Sequence, residues 1–331
     1  MSDDDVTFAA AFPPATVEQW RAMVDKALKG ASFEKRLVTR LYEGIAVQPL
    51  YTAQDWDPAG DPSGFPGLAP FTRGGHASGA GTEGWEVLTE HTLQGPQQTN
   101  KAILTDLRRG ATAIDLHFDR PDKPGIAINT LGDLDLVLLD VLPELVPLSL
   151  DAGADAVAAA AMLAALWQRR AVPPAEARGA FDADPVGTLA ASGHLPESLD
   201  HALSRLTELA IWTNARYANV TTVGIDSAPY YEAGATEAQD LAAAMSTGVT
   251  YLKALTDGGM EVDAALRQMT FTMAVGCDQF LSIAKLRAAR RLWARIAEAC
   301  GASEAARTMN TGSPDINADQ TRADVAQEAS P

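Results

Sequence analysis

The sequence is poor in cysteine and in basic residues. Its two cysteines, Cys277 and Cys300, are too few for a disulfide framework and too far apart for a typical zinc site. With 26 Lys and Arg against 43 Asp and Glu, the net charge of −17 argues against nucleic acid or an anionic membrane as a partner. No apolar run approaches the roughly 20 residues of a membrane span. The acidic start, MSDDD, is unlike a signal peptide. These absences predict a soluble, cytoplasmic protein.

Motifs of the common catalytic and nucleotide sites are also missing. There is no H-x-x-x-H pair, no C-x-x-C pair and no Walker loop. The stretch GAGTEG at 79–84 matches G-x-G-x-x-G in letters only, because a loop precedes it and no helix pattern follows it. Ser282 and Lys285 have S-x-x-K spacing, but they lie in the middle of a predicted amphipathic helix whose basic residues we interpret as a solvated face.

Composition and periodicity divide the chain into three regions. Residues 1–64 are predicted to form an N-terminal extension, a helix plus a hairpin, that acts as a subunit-contact arm carrying Trp20, Leu50 and Tyr51. Residues 65–301 are predicted to form a partial (β/α) barrel. Residues 302–331 are polar, acidic and without periodicity, which predicts a disordered tail.

The central region alternates apolar β-type runs with helix-type runs. Five such units are visible, and their predicted strands lie at 110–119, 145–151, 176–185, 218–226 and 267–276. Strands that alternate with helices imply a parallel sheet, and no glycine-rich fingerprint opens the first unit. We therefore predict an α/β fold of the (β/α)8 barrel type, incomplete because a closed barrel needs eight units.

Three stretches carry a family resemblance. They are GIAVQPLYTAQDWD…FPGLAPFTRGG, YYEAGATEAQDLAAAMSTGVTYLKAL and DQFLSIAKLRAARRLWARIAEACG. All three resemble the barrel domain of methylmalonyl-CoA mutase, an adenosylcobalamin-dependent isomerase, over roughly residues 12–309. The resemblance implies a (β/α)8 barrel that, in longer members, is followed by a cobalamin-binding domain. Some bacterial members are heterodimers of a catalytic large subunit and a related small subunit that binds no cofactor. This chain resembles the small subunit.

Residues of the family's active site are replaced in this chain. Catalytic members read S-G-Y-H-x-x-E-A-G-A after the fourth strand, and Pro229 stands at the place of that histidine. The family's tyrosine over the radical site corresponds to Ala80, and DADPVG replaces a phrase used for coenzyme A. The resemblance therefore predicts no catalytic residue, cofactor ligand or metal ligand in this chain, and it leaves Thr72 and Arg73 as candidates for acyl-CoA binding.

The segment DLHFDR at 115–120 partly resembles the D-x-H-x-x-G loop whose histidine ligates cobalt in cobalamin proteins. Arg120 stands in place of its glycine, which favours a packed or hydrogen-bonded role for His117 on the first strand.

Three hypotheses follow. The leading one is a non-catalytic small subunit that packs against a catalytic large subunit, the enzyme of propionate metabolism that isomerises methylmalonyl-CoA and succinyl-CoA. In this hypothesis adenosylcobalamin belongs to the large subunit. The second is an acyl-CoA mutase barrel that uses adenosylcobalamin bound by another chain. The third is a truncated, non-functional remnant.

Overall fold

A computed structural model describes residues 15–56, 62–78, 85–121 and 123–310. The chain divides into two compact units, residues 1–60 and 61–331. Part of the Pro- and Gly-rich segment at 55–70 lies outside the described residues. The whole of GAGTEG and residues 311–331 also lie outside them.

The first unit contains the predicted helix and hairpin. Helix α1 (Val17–Leu28) begins at a capping box formed by Thr16 and Gln19. It is followed by the short helix α2 (Phe33–Arg36) and by an antiparallel pair of two-residue strands, β1 (Thr39–Arg40) and β2 (Ala46–Val47). The Trp20 ring packs edge-on against Phe33, with the ring centroids 6.1 Å apart.

The second unit is built on a parallel sheet of six strands. These are β3 (Leu88–His91), β4 (Ala113–His117), β5 (Leu148–Asp151), β6 (Arg178–Ala183), β7 (Asn219–Asp226) and β8 (Met269–Thr272). The strands adjacent in the sheet are those consecutive in the chain. The five predicted strands are all present. The count rises to six because β3, within the β-like stretch WEVLTEHTL, pairs with β4.

Helices connect the consecutive strands of the sheet, and the last helix follows β8. They are α3 (Pro96–Arg109), α4 (Leu131–Val137), α5 (Ala156–Arg169), α6 (Pro185–Ser192), α7 (Leu199–Arg216), α8 (Ala228–Glu232), α9 (Glu237–Asp257), α10 (Val262–Arg267) and α11 (Gln279–Ala299). Among the described residues, none of the helices combines the length and the apolar composition that a membrane span requires.

The strand order identifies the type of α/β fold. In a doubly wound sheet the strand order reverses at a switch point. Here each strand lies beside the one that precedes it in the chain. Because crossovers between parallel strands are right-handed, this order places the connecting helices on one face of the sheet. This is the arrangement of a (β/α) barrel, and six strands are consistent with an incomplete one.

The chain stays packed beyond α11. Ala302 is buried, Phe271 donates its backbone N–H to the carbonyl of Asn310 at 2.9 Å, and the Asn310 amide donates to the carbonyl of Met269 at 3.1 Å. The first nine residues of the region predicted as a tail, 302–310, therefore belong to the folded unit.

Candidate functional site

The six strands have one apolar face and one polar face. On the apolar face Phe181 packs on Trp167, and Phe271 packs on Trp293 with ring centroids 4.6 Å apart. Because side chains alternate along a strand, the residues between these point to the opposite face. That face carries polar groups, namely Glu90, Asp115, His117, Ser149, Asp151, Asp182, Asp226 and Thr270. We take this face and the loops at the carboxyl ends of its strands as the candidate site.

His117 is the centre of an ionic network on this face. Its Nε2 lies 2.9 Å from Oδ2 of Asp115, and its Nδ1 lies 3.2 Å from Oδ2 of Asp151. Arg120 and Lys123 also pair with Asp151. Burial alone would lower the pKa of His117, but the hydrogen bond and charge of Asp115, with the charge of Asp151, raise it above its ordinary value. The pKa of Asp151 falls to about 2 because His117, Lys123 and Arg120 outweigh its burial. His117 is both buried and hydrogen-bonded on β4, in agreement with the packed or hydrogen-bonded role predicted for it.

His91, at the end of β3, is the second buried histidine of the sheet. Its Nε2 lies 3.1 Å from the hydroxyl of Thr89 and 3.8 Å from a carboxylate oxygen of Asp106. Burial is the largest influence on its pKa and lowers it. The pKa values of two buried histidines on neighbouring strands are therefore shifted in opposite directions.

Asp184 follows β6 directly and lies in a crevice at the carboxyl ends of β5 and β6. It accepts hydrogen bonds from the Tyr251 hydroxyl and from the backbone N–H groups of Gly187 and Asp226. These donors favour its charged form, but burial outweighs them and raises its pKa to about 7. Asp184 belongs to the DADPVG segment, so this segment has a structural anchor of its own.

Pro229 lies in α8, which begins directly after β7. Its ring offers no hydrogen-bond donor or acceptor beyond its backbone carbonyl. The segment is fixed by Ser227, whose Oγ accepts a hydrogen bond from the backbone N–H of Ala274 at 2.9 Å. The loop is therefore well anchored at the edge of the sheet where chemistry usually occurs, without the hydrogen-bonding side chain that the resemblance would place there.

Lys285 is buried in an ion cluster, which corrects its assignment to a solvated helix face. Its Nζ lies 2.7 Å from Oδ2 of Asp240 and 2.5 Å from Oε2 of Glu237, and the side chains of both Lys285 and Asp240 are fully buried. The same Nζ is 4.9 Å from the ring centroid of Tyr231 in α8. Burial raises the pKa of Asp240, and the hydrogen bond and charge of Lys285 oppose this effect. The cluster joins α8, α9 and α11.

Thr72 and Arg73, the candidate acyl-CoA residues, lie together in a loop. Thr72 is buried, and its hydroxyl has no hydrogen-bond partner among the described residues, whereas Arg73 is exposed. Ala80, the position compared with the family tyrosine, lies outside the described residues.

Sequence patterns missed the groups that converge here. Glu90, Asp115 and Asp151 are separated along the chain and meet only through strand register. The one signal available in the sequence was the D-x-H pattern of Asp115 and His117 within a β-type run. Because side chains alternate along a strand, residues two apart point to the same face.

Adjacent parallel strands in chain order, with polar groups at their carboxyl ends, define a barrel-type α/β protein. The family model described as methylmalonyl-CoA mutase matches residues 40–327. The chain belongs to the methylmalonyl-CoA mutase family.

The named relatives are subunits of that enzyme. The chain is 41% identical to the methylmalonyl-CoA mutase small subunit of Streptomyces virginiae, over 91% of this chain and 48% of that one. It is 35% identical to the small subunit of Propionibacterium freudenreichii subsp. shermanii, over 91% of this chain and 47% of that one. It is 27% identical to the methylmalonyl-CoA mutase large subunit of Streptomyces virginiae, over 89% of this chain and 42% of that one. The chain is thus a small-subunit homologue that spans about half the length of the curated relatives it matches.

Adenosylcobalamin, which the family implies, does not fit the histidine of the D-x-H pattern. Both ring nitrogens of His117 face carboxylates, and only 4% of its side chain is exposed. A corrin ring is far too large to reach a nitrogen enclosed within the sheet, so we assign His117 no role toward cobalamin.

Proposed function

We propose that this chain is a non-catalytic small subunit that binds a methylmalonyl-CoA mutase large subunit and stabilises it. The observation that carries the proposal is the α8 segment, where Pro229 occupies an anchored loop at the carboxyl edge of the sheet. A proline side chain cannot hydrogen-bond a thioester carbonyl, so the loop keeps its scaffold without a polar group for the reaction. The higher identity to small subunits than to a large subunit supports the same proposal.

Adenosylcobalamin and the isomerisation chemistry belong, in this proposal, to the large subunit. We expect the chain alone, supplied with adenosylcobalamin and methylmalonyl-CoA, to form no succinyl-CoA. Turnover by the isolated chain would overturn its non-catalytic role.

The N-terminal arm, residues 12–64, is the proposed contact. Leu50 and Tyr51 are 40% and 58% exposed, and Tyr42 is 96% exposed. Trp20 packs on Phe33 and so serves the arm's own fold. Large apolar side chains left exposed in one short segment are typical of protein contact sites.

Co-expression with a large subunit tests this contact. We expect a 1:1 complex in gel filtration with light scattering, and about a tenfold or greater loss of affinity when Tyr42 and Leu50 are both changed to Asp. Phe280→Asp, at an 82% exposed position of α11, is the matched control and should leave the complex intact. Two separately eluting chains would refute the partnership. A complex that tolerates the arm variant but not Phe280→Asp would refute the arm as its site.

Acyl-CoA binding is a second candidate function, in which the chain contributes a barrel to a mutase whose adenosylcobalamin is bound elsewhere. It is favoured by the buried Thr72 hydroxyl, which lacks a partner among the described residues, beside the exposed Arg73. An arginine guanidinium pairs well with phosphate groups such as those of coenzyme A.

Calorimetry with methylmalonyl-CoA tests the second candidate. We expect binding heat that falls in Arg73→Ala and persists in Arg109→Ala, which removes an exposed cation from the end of α3. Absence of heat, or equal heat in both variants, would rule this candidate out.

A further inference from the structure

Three side chains with metal-binding atoms converge on the polar face of the sheet. Glu90, Asp115 and His117 each offer one such atom, and these atoms all lie within 4.8 Å of one another. His117 Nε2 is 2.9 Å from Oδ2 of Asp115 and 4.0 Å from Oε1 of Glu90. We call these three residues the triad.

Strand geometry fixes the triad. Glu90 on β3 stands directly opposite Asp115 on β4 in the parallel register, so both side chains point to the same face. His117 lies two residues after Asp115 on the same strand and therefore shares that face. The three groups thus project from regular strands rather than from mobile loops, which suits a preorganised site.

The second ring nitrogen of His117 faces a carboxylate. Metal-binding histidines commonly turn their other nitrogen to a carboxylate, which fixes the tautomer and orients the ring. Here Nδ1 lies 3.2 Å from Oδ2 of Asp151, the residue opposite His117 on β5, at ion-pair distance but without a hydrogen bond between the two atoms. Arg120 and Lys123 pair with Asp151 and hold it in place.

We propose that the triad binds a divalent first-row transition-metal ion through His117 Nε2 and the carboxylates of Asp115 and Glu90. One imidazole nitrogen with two carboxylate oxygens suits Zn²⁺ or Mn²⁺, whereas Mg²⁺ and Ca²⁺ prefer oxygen ligands alone. Three protein ligands leave a further coordination position for water or a small anion. Asp115 is fully buried and Glu90 is exposed, so the triad has one enclosed side and one side open to entry.

The competing interpretation is a purely ionic network in which Nε2 keeps its proton and donates it to Asp115. A metal ion must displace this proton, so binding through the triad releases protons and strengthens as the pH rises. An ionic network gives neither effect.

Titration of the full chain with ZnCl2 distinguishes the two. After treatment with a chelator and desalting, we expect calorimetry at pH 7.5 to show one Zn²⁺ per chain, with weaker binding at pH 6. CoCl2 should give visible absorption bands from the same site. Asp151→Asn should weaken Zn²⁺ binding about 10- to 100-fold, the usual effect of removing the partner of a ligating histidine.

Variants of the triad separate specific binding from adventitious binding. His117→Ala and Glu90→Gln should each abolish the one-site isotherm. His201→Ala, which removes an exposed histidine 2.7 Å from Glu197, should leave it unchanged. Glu90→Gln alters a side chain that is 40% exposed, so it tests the site even if the variants at buried positions do not fold. No binding to the native chain, or equal binding by Glu90→Gln, would overturn the proposal.

Discussion

Replacing Lys285 with methionine should lower the free energy of unfolding by about 3–5 kcal/mol, the usual result of breaking a buried ion pair from one side. The Lys285 and Asp240 side chains are fully buried, and Nζ also lies 2.5 Å from Glu237. Methionine keeps most of the side-chain volume but leaves two carboxylates facing each other without a cation. The loss therefore comes from uncompensated charge rather than from a cavity.

Urea unfolding of the Lys285→Met variant, followed by far-UV circular dichroism, measures this loss. Lys253→Met is the matched control, because Lys253 pairs with Asp257 on the exposed surface of α9. An exposed pair of this type is worth about 0.3–0.5 kcal/mol. Equal shifts in the two variants would show that the buried cluster contributes no more than a surface pair.

The Lys285 cluster explains why the α8 segment keeps its structure without a catalytic side chain. Tyr231 in α8 lies over the ammonium group of Lys285, and Ser227 accepts the N–H of Ala274. Pro229 takes part in neither interaction. The segment can therefore carry proline in place of a reactive residue while its anchoring contacts remain.

Most of the fold was predictable because strand and helix periods differ. Each of the five predicted strand-helix units is present, since apolar runs flanked by helix caps are strong local signals. Strand β3 was missed because only four residues, Leu88–His91, form it, and three of them are polar, with Glu90 exposed. Its assignment depends on pairing with β4, which is a non-local property.

The candidate site was far less predictable than the fold. The period of α11 placed Lys285 among basic residues at intervals typical of a solvated face, but its carboxylate partners lie on α9, 45 and 48 residues earlier in the chain. The convergence of Glu90 on Asp115 likewise depends on strand register. Sequence periodicity reports which face a residue occupies, whereas charge pairing depends on what lies opposite that face.

Adding a methyl group at Gly179 should destabilise the protein more than adding one at any other glycine of the sheet. Gly179 pairs with Leu148 between β5 and β6 and has φ of +138°, a conformation that L-residues rarely adopt. An added Cβ would overlap the carbonyl oxygen of Leu148. Because both groups are backbone in a buried sheet, neither can move aside cheaply. We expect Gly179→Ala to cost about 4 kcal/mol or more, or to prevent folding.

Gly110→Ala separates the steric clash from the backbone strain in this prediction. Gly110 has φ of +111° at the end of α3, and nothing lies within 4 Å of an added Cβ. The Gly110→Ala substitution should therefore lower the free energy of unfolding only by the strain of an alanine in a left-handed conformation, about 1–2 kcal/mol. Soluble yield and urea midpoints of the two variants measure the difference. Similar losses would mean that β5 and β6 do not pair as described. Because Asp151 and Asp184 lie at the ends of these two strands, the polar face would then have to be assembled differently.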